Sequence, residues 1–136
     1  PSLKLRDVVV ALASSTDNGY ARHFNLPGDI APCADYGLVS GAVDYAKAHG
    51  MSVRVGPVVS GEGFYYSDEW MKKWTDMGML AVEMESAALY MNAMEAGKRA
   101  VALCTISDLM FNGAACTPQE RQESFDDMIL MALSLA

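Results

Sequence analysis

Two apolar runs constrain this chain more than anything else in it. Residues 8–13 read Val-Val-Val-Ala-Leu-Ala, and residues 100–108 open as Ala-Val-Ala-Leu-Cys and close on Ser107-Asp108. Short continuous apolar runs bounded by turn residues are what strands covered on both faces look like, as in a parallel sheet with helices above and below. Open α/β sheets place their ligands beyond the C-terminal ends of such strands. On this reading Ser107 and Asp108 stand at the lip of a crevice, unless the pair simply begins a loop or caps a helix.

The rest of the chain fills in the alternation. A turn-rich cluster, residues 14–19, follows the first run, and an irregular segment with His23, Phe24, Pro27 and Gly28 reaches Pro32. Asp35 is placed to cap a helix with apolar positions Leu38, Val39, Ala42, Val43 and Ala46, and Gly50 to end it. Residues 51–60 read as a strand, with Val53, Val55, Val58 and Val59 supplying β-branched bulk. Gly61-Glu62-Gly63-Phe64-Tyr65-Tyr66 breaks it, and aromatics beside glycines at a strand end can wall a pocket for a planar ligand. They can equally form an ordinary aromatic cluster under a loop. Ser67 caps a short helix through Met77 that carries Trp70, Met71 and Trp74 on one face, and Gly78 is its stop. A brief strand, residues 79–82, leads into a helix whose first turn holds Glu83 and Glu85 and which runs to Gly97.

Glutamates there complement the helix dipole. Glu85, expected at the same end of the sheet as Asp108, could instead accept charge-assisted hydrogen bonds from vicinal hydroxyls. Residues 109–116 read as a loop. Thr117-Pro118-Gln119-Glu120 is a capping box with proline at the first helical position. It opens one long helix with Phe125, Met128, Ile129, Ala132 and Leu133 on its buried stripe. Arg121 in the first turn is a cation set against the dipole, which points to an anionic partner outside the helix, and Asp108 is the nearest candidate in sequence. The alternative is an arginine on a solvated face. The order of elements gives an α/β architecture, with a mostly parallel or mixed central sheet flanked by helices.

Composition narrows the function. A net charge of −7 leaves no basic stripe for nucleic acid. No apolar run is long enough to span a membrane, and residues 1–6 lack the apolar core of a signal peptide. Cys33, Cys104 and Cys116 are odd in number, match no zinc spacing, and read as reduced, mostly buried thiols of a cytoplasmic protein. His23 and His49 are too few and too separate for a metal centre. The chain enters its first strand almost at once and stops inside an amphipathic helix with no stop signal, so a piece of a longer protein is expected, with more missing from the front.

Taken together, Val82-Glu83-Met84-Glu85, Ser107-Asp108 and Glu120-Arg121-Gln122 resemble the bacterial-type, hexameric purine nucleoside phosphorylases of the nucleoside phosphorylase superfamily. Residues 4–9 (Lys-Leu-Arg-Asp-Val-Val), Thr16-Asp17, Phe64-Tyr65 and the Ser-Phe-x-Asp-Met pattern at residues 124–128 match as well. The resemblance spans the chain and implies the C-terminal part, residues 1–136, of a single three-layer α/β/α domain that is incomplete on its N-terminal side. The implied reaction is reversible phosphorolysis of purine ribo- or deoxyribonucleosides, giving free purine and a pentose 1-phosphate.

By resemblance, Asp108 is the general acid toward purine N7, Ser107 helps hold the base, and Arg121 swings in to assist Asp108. Met84 and Glu85 hold the ribose, Phe64 stacks on the base, and Val82 and Glu83 line its pocket. Inorganic phosphate is the co-substrate, no metal or organic cofactor is implied, and the assembly is a homo-oligomer, a hexamer built as a trimer of dimers. The family's glycine- and arginine-containing phosphate loop, its second arginine, and the histidine that a neighbouring subunit lends to the ribose have no counterpart in these residues. Gly61-Glu62-Gly63 and residues 109–112 also depart from the family pattern, which bears on which purine is preferred. An aspartic acid can serve 6-amino and 6-oxo purines alike. Two other readings fit the same residues: a nucleosidase that cleaves thiomethyl- or homocysteinyl-adenosine with water, and a non-catalytic fragment that lacks the phosphate site.

The chemistry asked of Asp108 is coherent. Breaking the N-glycosidic bond builds oxocarbenium character on the sugar and negative charge on the departing purine. A placed acid that removes that charge is worth about a hundredfold or more. An arginine that closes over the acid with the ligand suits the role better than a permanent ion pair. The reading requires Asp108 and Glu85 to face one cavity that Phe64 borders.

Overall fold

The computed structural model describes residues 3–123 and 125–136. Pro1 and Ser2 of the opening segment, and Ser124 of the residue 124–128 pattern, lie outside them. The first apolar run becomes β1 (Val8–Thr16), and a 3-10 turn (Tyr20–Phe24) follows it. Next come α1 (Tyr36–Ala48), β2 (Val53–Ser60), α2 (Asp68–Asp76), β3 (Val82–Glu83) and α3 (Ser86–Glu95). The chain continues through β4 (Ala102–Thr105), β5 (Asp108–Leu109), β6 (Ala114–Ala115), α4 (Pro118–Glu123) and α5 (Asp126–Ser134).

Local chemistry sets the helix starts as read from the sequence. Asp35 Oδ1 accepts the Leu38 amide at 3.0 Å and Ser67 Oγ accepts the Trp70 amide at 3.2 Å. Gly50 and Gly78 take the positive φ values (65° and 86°) that let the chain leave α1 and α2.

Four strands form one sheet in the order β3-β2-β1-β4. β1, β2 and β3 are parallel, joined through the helices. β4 is antiparallel to β1, with Val8 opposite Thr105 and Ala11 opposite Ala102. The sheet is therefore mixed, and β4, read from sequence as a doubly covered strand, is an edge strand with only partly buried residues. Its apolar run serves two faces with different partners. Leu103 and Val101 pack toward Val8, Val10, Val39, Ala42 and Met131, on the side of α1 and α5. Ala102, Cys104 and Ile106 pack toward Val9, Ala11, Val58 and Tyr90, on the side of α3.

β1 carries a bulge between Ala11 and Ala13. Leu12 is the extra residue, and its carbonyl accepts the Ala34 amide instead of a ladder partner. A bulge shifts the side-chain alternation by one, so Ser14, rather than Ala13, turns onto the α3 face. Pro57 sits opposite the bulge, paired with Ala13, where a residue without an N–H is tolerated in an inner strand.

The C-terminal region departs from the single helix expected. The chain breaks between α4 and α5, and Phe125 becomes the residue ahead of α5 rather than part of a continuous stripe. The buried side of α5 is accordingly Met131, with Met128 and Leu135 partly buried beside it. Ile129 and Leu133 are exposed, on the side of α5 turned away from Met128, Met131 and Leu135. Residues 109–116 hold the short β5–β6 hairpin, with Asp108 opposite Ala115. Of the thiols expected to be mostly buried, Cys116 is buried, Cys104 intermediate and Cys33 exposed. No helix among the described residues is long and apolar enough to cross a membrane.

Candidate active site

The implied site residues fall into three groups. The first gathers around α4. Arg121 Nη2 donates to Asp108 Oδ1 at 2.8 Å, and Ser107 Oγ donates to Asp108 Oδ2 at 2.6 Å. The anionic partner that the dipole argument demanded for Arg121 is thus Asp108. Arg121 Nε also donates to the Cys116 carbonyl at 3.2 Å, and the Cys116 amide donates to the Ser107 carbonyl at 2.7 Å. The hairpin and the start of α4 therefore fix both ends of the ion pair, whose side chains remain 40–46% exposed, where the resemblance implied an arginine that swings in to the acid.

The capping box forms as read. The Thr117 amide donates to Glu120 Oε2 at 2.8 Å, and the Glu120 amide donates to Thr117 Oγ1 at 3.2 Å. Arg6, in the left-handed region at φ 71°, donates its amide to the Ile106 carbonyl and its Nη2 to Glu120 Oε1. The Thr117 amide and hydroxyl, with Arg6 beyond them, hold the Glu120 carboxyl below its usual range.

The second group lies at the start of α3. The sequence reading put Glu83 and Glu85 inside the first helical turn. In the structure Glu83 ends β3 and Glu85 is the residue before the helix, with no capping bond from its own side chain. Glu83 supplies the cap. Its Oε2 accepts the amides of Glu85 (2.8 Å) and Ser86 (2.7 Å), where a carboxylate also complements the helix dipole. Its Oε1 accepts the hydroxyls of Ser60 (2.7 Å) and Ser86 (2.6 Å).

Ser86 and Ser14 hydroxyls stand 2.8 Å apart, and Ser60 Oγ also accepts the Ala87 amide at 3.2 Å. Ser14, Ser60 and Ser86 are all buried. Glu85 and Met84 are exposed, and among the described residues Glu85 Oε2 accepts the Met84 amide alone, at 3.3 Å. Val82 is half-buried, paired with Val59. The serines went unnoticed in the sequence. Their signal was the three-residue step from Glu83 to Ser86, the spacing at which a side-chain acceptor reaches a helical amide.

The third group is the aromatic turn after β2. Phe64 and Tyr65 are 76% and 91% exposed and meet edge to face at 5.0 Å. Tyr66 folds inward instead. Its ring stacks on Trp70 at 3.6 Å, and its hydroxyl accepts the Gly63 amide at 2.5 Å. Gly61 is needed there because a Cβ would collide with the Tyr66 hydroxyl and come within 2.8 Å of the ring carbon bearing it. The glycines flanking Glu62 thus make room for Tyr66.

The antiparallel course of β4 corrects the expectation that Asp108 and Glu85 share one end of the sheet. β2 and β3 end beside Thr16, the last residue of β1, whereas β4 ends beside Val8, its first. With the bulged Leu12 left out, seven ladder steps separate those levels, roughly 23 Å of rise along a straight strand. No hydrogen bond or ion pair among the described residues joins the two groups. Of the two grooves described, one of about 500 Å³ is lined by residues that include Arg6, Tyr45, His49 and Met51. The other, of about 430 Å³, lies beside β4, against Leu89, Leu103, Met128 and Leu135. Neither is lined by Phe64, Glu85 or Asp108.

What links the groups is β4 itself. The Cys104 thiol is pushed up to about 11, first by burial and then by the carboxylates of Glu83 and Glu85. Ile106, the last residue before Ser107, packs on the same α3 face. Glu83, at the end of β3, and Glu85, before α3, thus act on the charge of the strand that leads to Asp108.

A curled mixed α/β sheet flanked by helices, with an acid–arginine pair after the antiparallel strand and a glutamate-capped helix after the third parallel one, has the form of a phosphorylase-type domain. The chain belongs to the Phosphorylase superfamily, whose family model matches residues 1–134. It is 42% identical over 134 residues to a protein of Listeria welshimeri named purine nucleoside phosphorylase DeoD-type, covering 98% of this chain and 58% of that one. A protein of the same name from Bacillus subtilis is 43% identical over 131 residues, 96% of this chain and 56% of the relative. A purine nucleoside phosphorylase DeoD-type 1 from Photobacterium profundum is 43% identical over 132 residues, 96% and 55% of the two chains. The chain therefore spans a little over half the length of these relatives.

Proposed function

We propose that this chain carries the base- and sugar-binding part of a purine nucleoside phosphorylase and forms the C-terminal part of its single domain. In that reading inorganic phosphate is the co-substrate, no metal or organic cofactor takes part, and the protein works in the cytoplasm as a homo-oligomer, a hexamer made as a trimer of dimers. The observation that carries the reading is the Asp108–Arg121 pair, held on both carboxylate oxygens in a chain whose relatives bear that enzyme's name.

The roles follow from charge. As the bond from C1′ to the base breaks and a phosphate oxygen bonds C1′, the departing purine keeps the electron pair, and a proton from Asp108 to N7 neutralises it. Arg121 then stabilises the carboxylate left behind, and Ser107 orients the acid. Glu85, whose carboxylate takes one long bond from the Met84 amide, retains acceptor capacity for the sugar hydroxyls. Val82, Met84 and Phe64 supply apolar surface for sugar and base. Among the described residues of this chain Asp108 and Glu85 line no common groove, so the reading requires the further part that the relatives possess to build the cavity between them. The unpaired edge of β4 and the apolar groove along it support that step.

The test is release of purine from adenosine and inosine, with and without phosphate. It is run on this chain alone and on the chain joined to the part of the Listeria welshimeri relative that it does not cover. Phosphate-dependent release by the joined protein is the expected result. Release that ignores phosphate would assign the nucleosidase reaction, and no release or nucleoside binding in either form would leave a non-catalytic piece.

A further inference from the structure

The reading from resemblance makes Glu83 a residue of the base pocket. Its geometry gives it other work. An ionised carboxylate has about four acceptor positions, and Glu83 receives four donors: the Glu85 and Ser86 amides and the Ser60 and Ser86 hydroxyls. Little capacity remains for a ligand. Those four donors come from the end of β2 and the start of α3, and Ser86 extends the set to Ser14 on β1. Ser14 reaches the set only because the bulge at Leu12 turns it onto the α3 face.

We infer that Glu83, with Ser14, Ser60 and Ser86, is a positioning unit that sets the backbone of the Met84–Glu85 turn, and so the place of the sugar-binding carboxylate, without touching the ligand itself. The inference rests on the proposed function, since it needs Glu85 to bind the sugar.

The unit spans the ends of β1 and β2, the end of β3 and the first turn of α3. Glu85 precedes α3 with φ −130° and ψ −30° and has no side-chain cap of its own. Its backbone position is set by the bond from its amide to Glu83 and by the Leu89 amide that its carbonyl accepts. Losing the carboxylate of Glu83 removes the first of these and leaves only the second.

The experiment has two arms. In this chain, hydrogen exchange of the Glu85 and Ser86 amides is compared between wild type, Glu83→Gln, Ser60→Ala and Ser60→Thr. In the protein joined to the Listeria segment, KM and kcat for a purine nucleoside are measured for the same variants and for Glu85→Gln. Glu83→Gln is expected to speed exchange at both amides and to raise KM about tenfold, the size of one lost charge-assisted bond. Ser60→Ala follows in the same direction, and Ser60→Thr, which restores the hydroxyl, returns KM toward wild type.

A role confined to folding would lower the yield of active enzyme, and so the apparent kcat, with KM unmoved. That outcome, or unchanged exchange in Glu83→Gln, overturns the inference. Should Glu85→Gln itself leave KM unchanged, the sugar-binding reading has failed and takes the inference with it. That result is distinct from one in which Glu85→Gln raises KM and Glu83→Gln does not, which overturns the inference alone.

Discussion

At the scale of single residues, Tyr90 ties the two halves of the sheet to α3. Its hydroxyl donates to the Ala11 carbonyl at 2.5 Å and accepts the Ala102 amide at 2.9 Å. It thereby joins β1 and β4 at the level where their ladder ends and the bulge begins. Burial pushes this hydroxyl up to about 12, and Cys104, on the same face, up to about 11. Both groups are neutral when protonated, and both have folded values above their ordinary values of 10.0 and 9.0. Their contribution to stability is therefore complete below pH 9. It is lost first between about pH 9 and 11 as Cys104 ionises in the unfolded chain, then between about 10 and 12 for Tyr90. Urea unfolding from pH 8 to 11.5 should show stability falling over that interval, and Cys104→Ala should remove the earlier part of the fall. Tyr90→Phe leaves the Ala11 carbonyl and the Ala102 amide without their partner and should cost about 1–3 kcal/mol at pH 7.

At the scale of elements, two local devices can be tested separately from activity. Gly61→Ala forces the Tyr66 ring away from its stack on Trp70 and from the Gly63 amide, and should lower stability by about 1–3 kcal/mol with a loss of near-ultraviolet tryptophan signal. Thr117→Ala removes half of the capping box that starts α4 and should cost about 1 kcal/mol in denaturant unfolding. These elements also show what could be read from the sequence. Asp35, Ser67, Gly50 and Gly78 announced α1 and α2 because caps act within three or four residues, and Thr117 with Glu120 announced α4 for the same reason. Arg121 was legible as a cation in the wrong place, and its partner proved to be Asp108.

What escaped was everything set by pairing over distance. An apolar run says that a strand is covered but not which way it runs, so β4 read as parallel when it is antiparallel. The bulge at Leu12 re-aims Ser14, and its one trace in the sequence is Pro57 in an inner strand opposite it. Ile129 and Leu133 fit the apolar periodicity of a helix yet are exposed, because which flank of α5 is covered depends on where α1 and β4 lie.

At the scale of the whole molecule, the sheet has three parallel strands on one side and an antiparallel edge strand on the other, with α1 and α5 on one face and α3 on the opposite one. Family membership rests on the full length of this chain, while the chain spans just over half of its relatives. The Asp108–Arg121 pair and the Glu83–Glu85 turn stand toward opposite ends of β1, so the reaction proposed above is one for a protein that includes the part of the relatives this chain does not span.

The central claim is that Asp108 protonates the departing purine, and methylation at N7 tests it most directly, because such a nucleoside already carries the positive charge that the acid would supply. In the protein joined to the Listeria segment, Asp108→Asn should slow phosphorolysis of an ordinary purine nucleoside about a hundredfold, while leaving the rate on the N7-methylated nucleoside close to wild type. Equal losses on both nucleosides, or no loss on either, would contradict it.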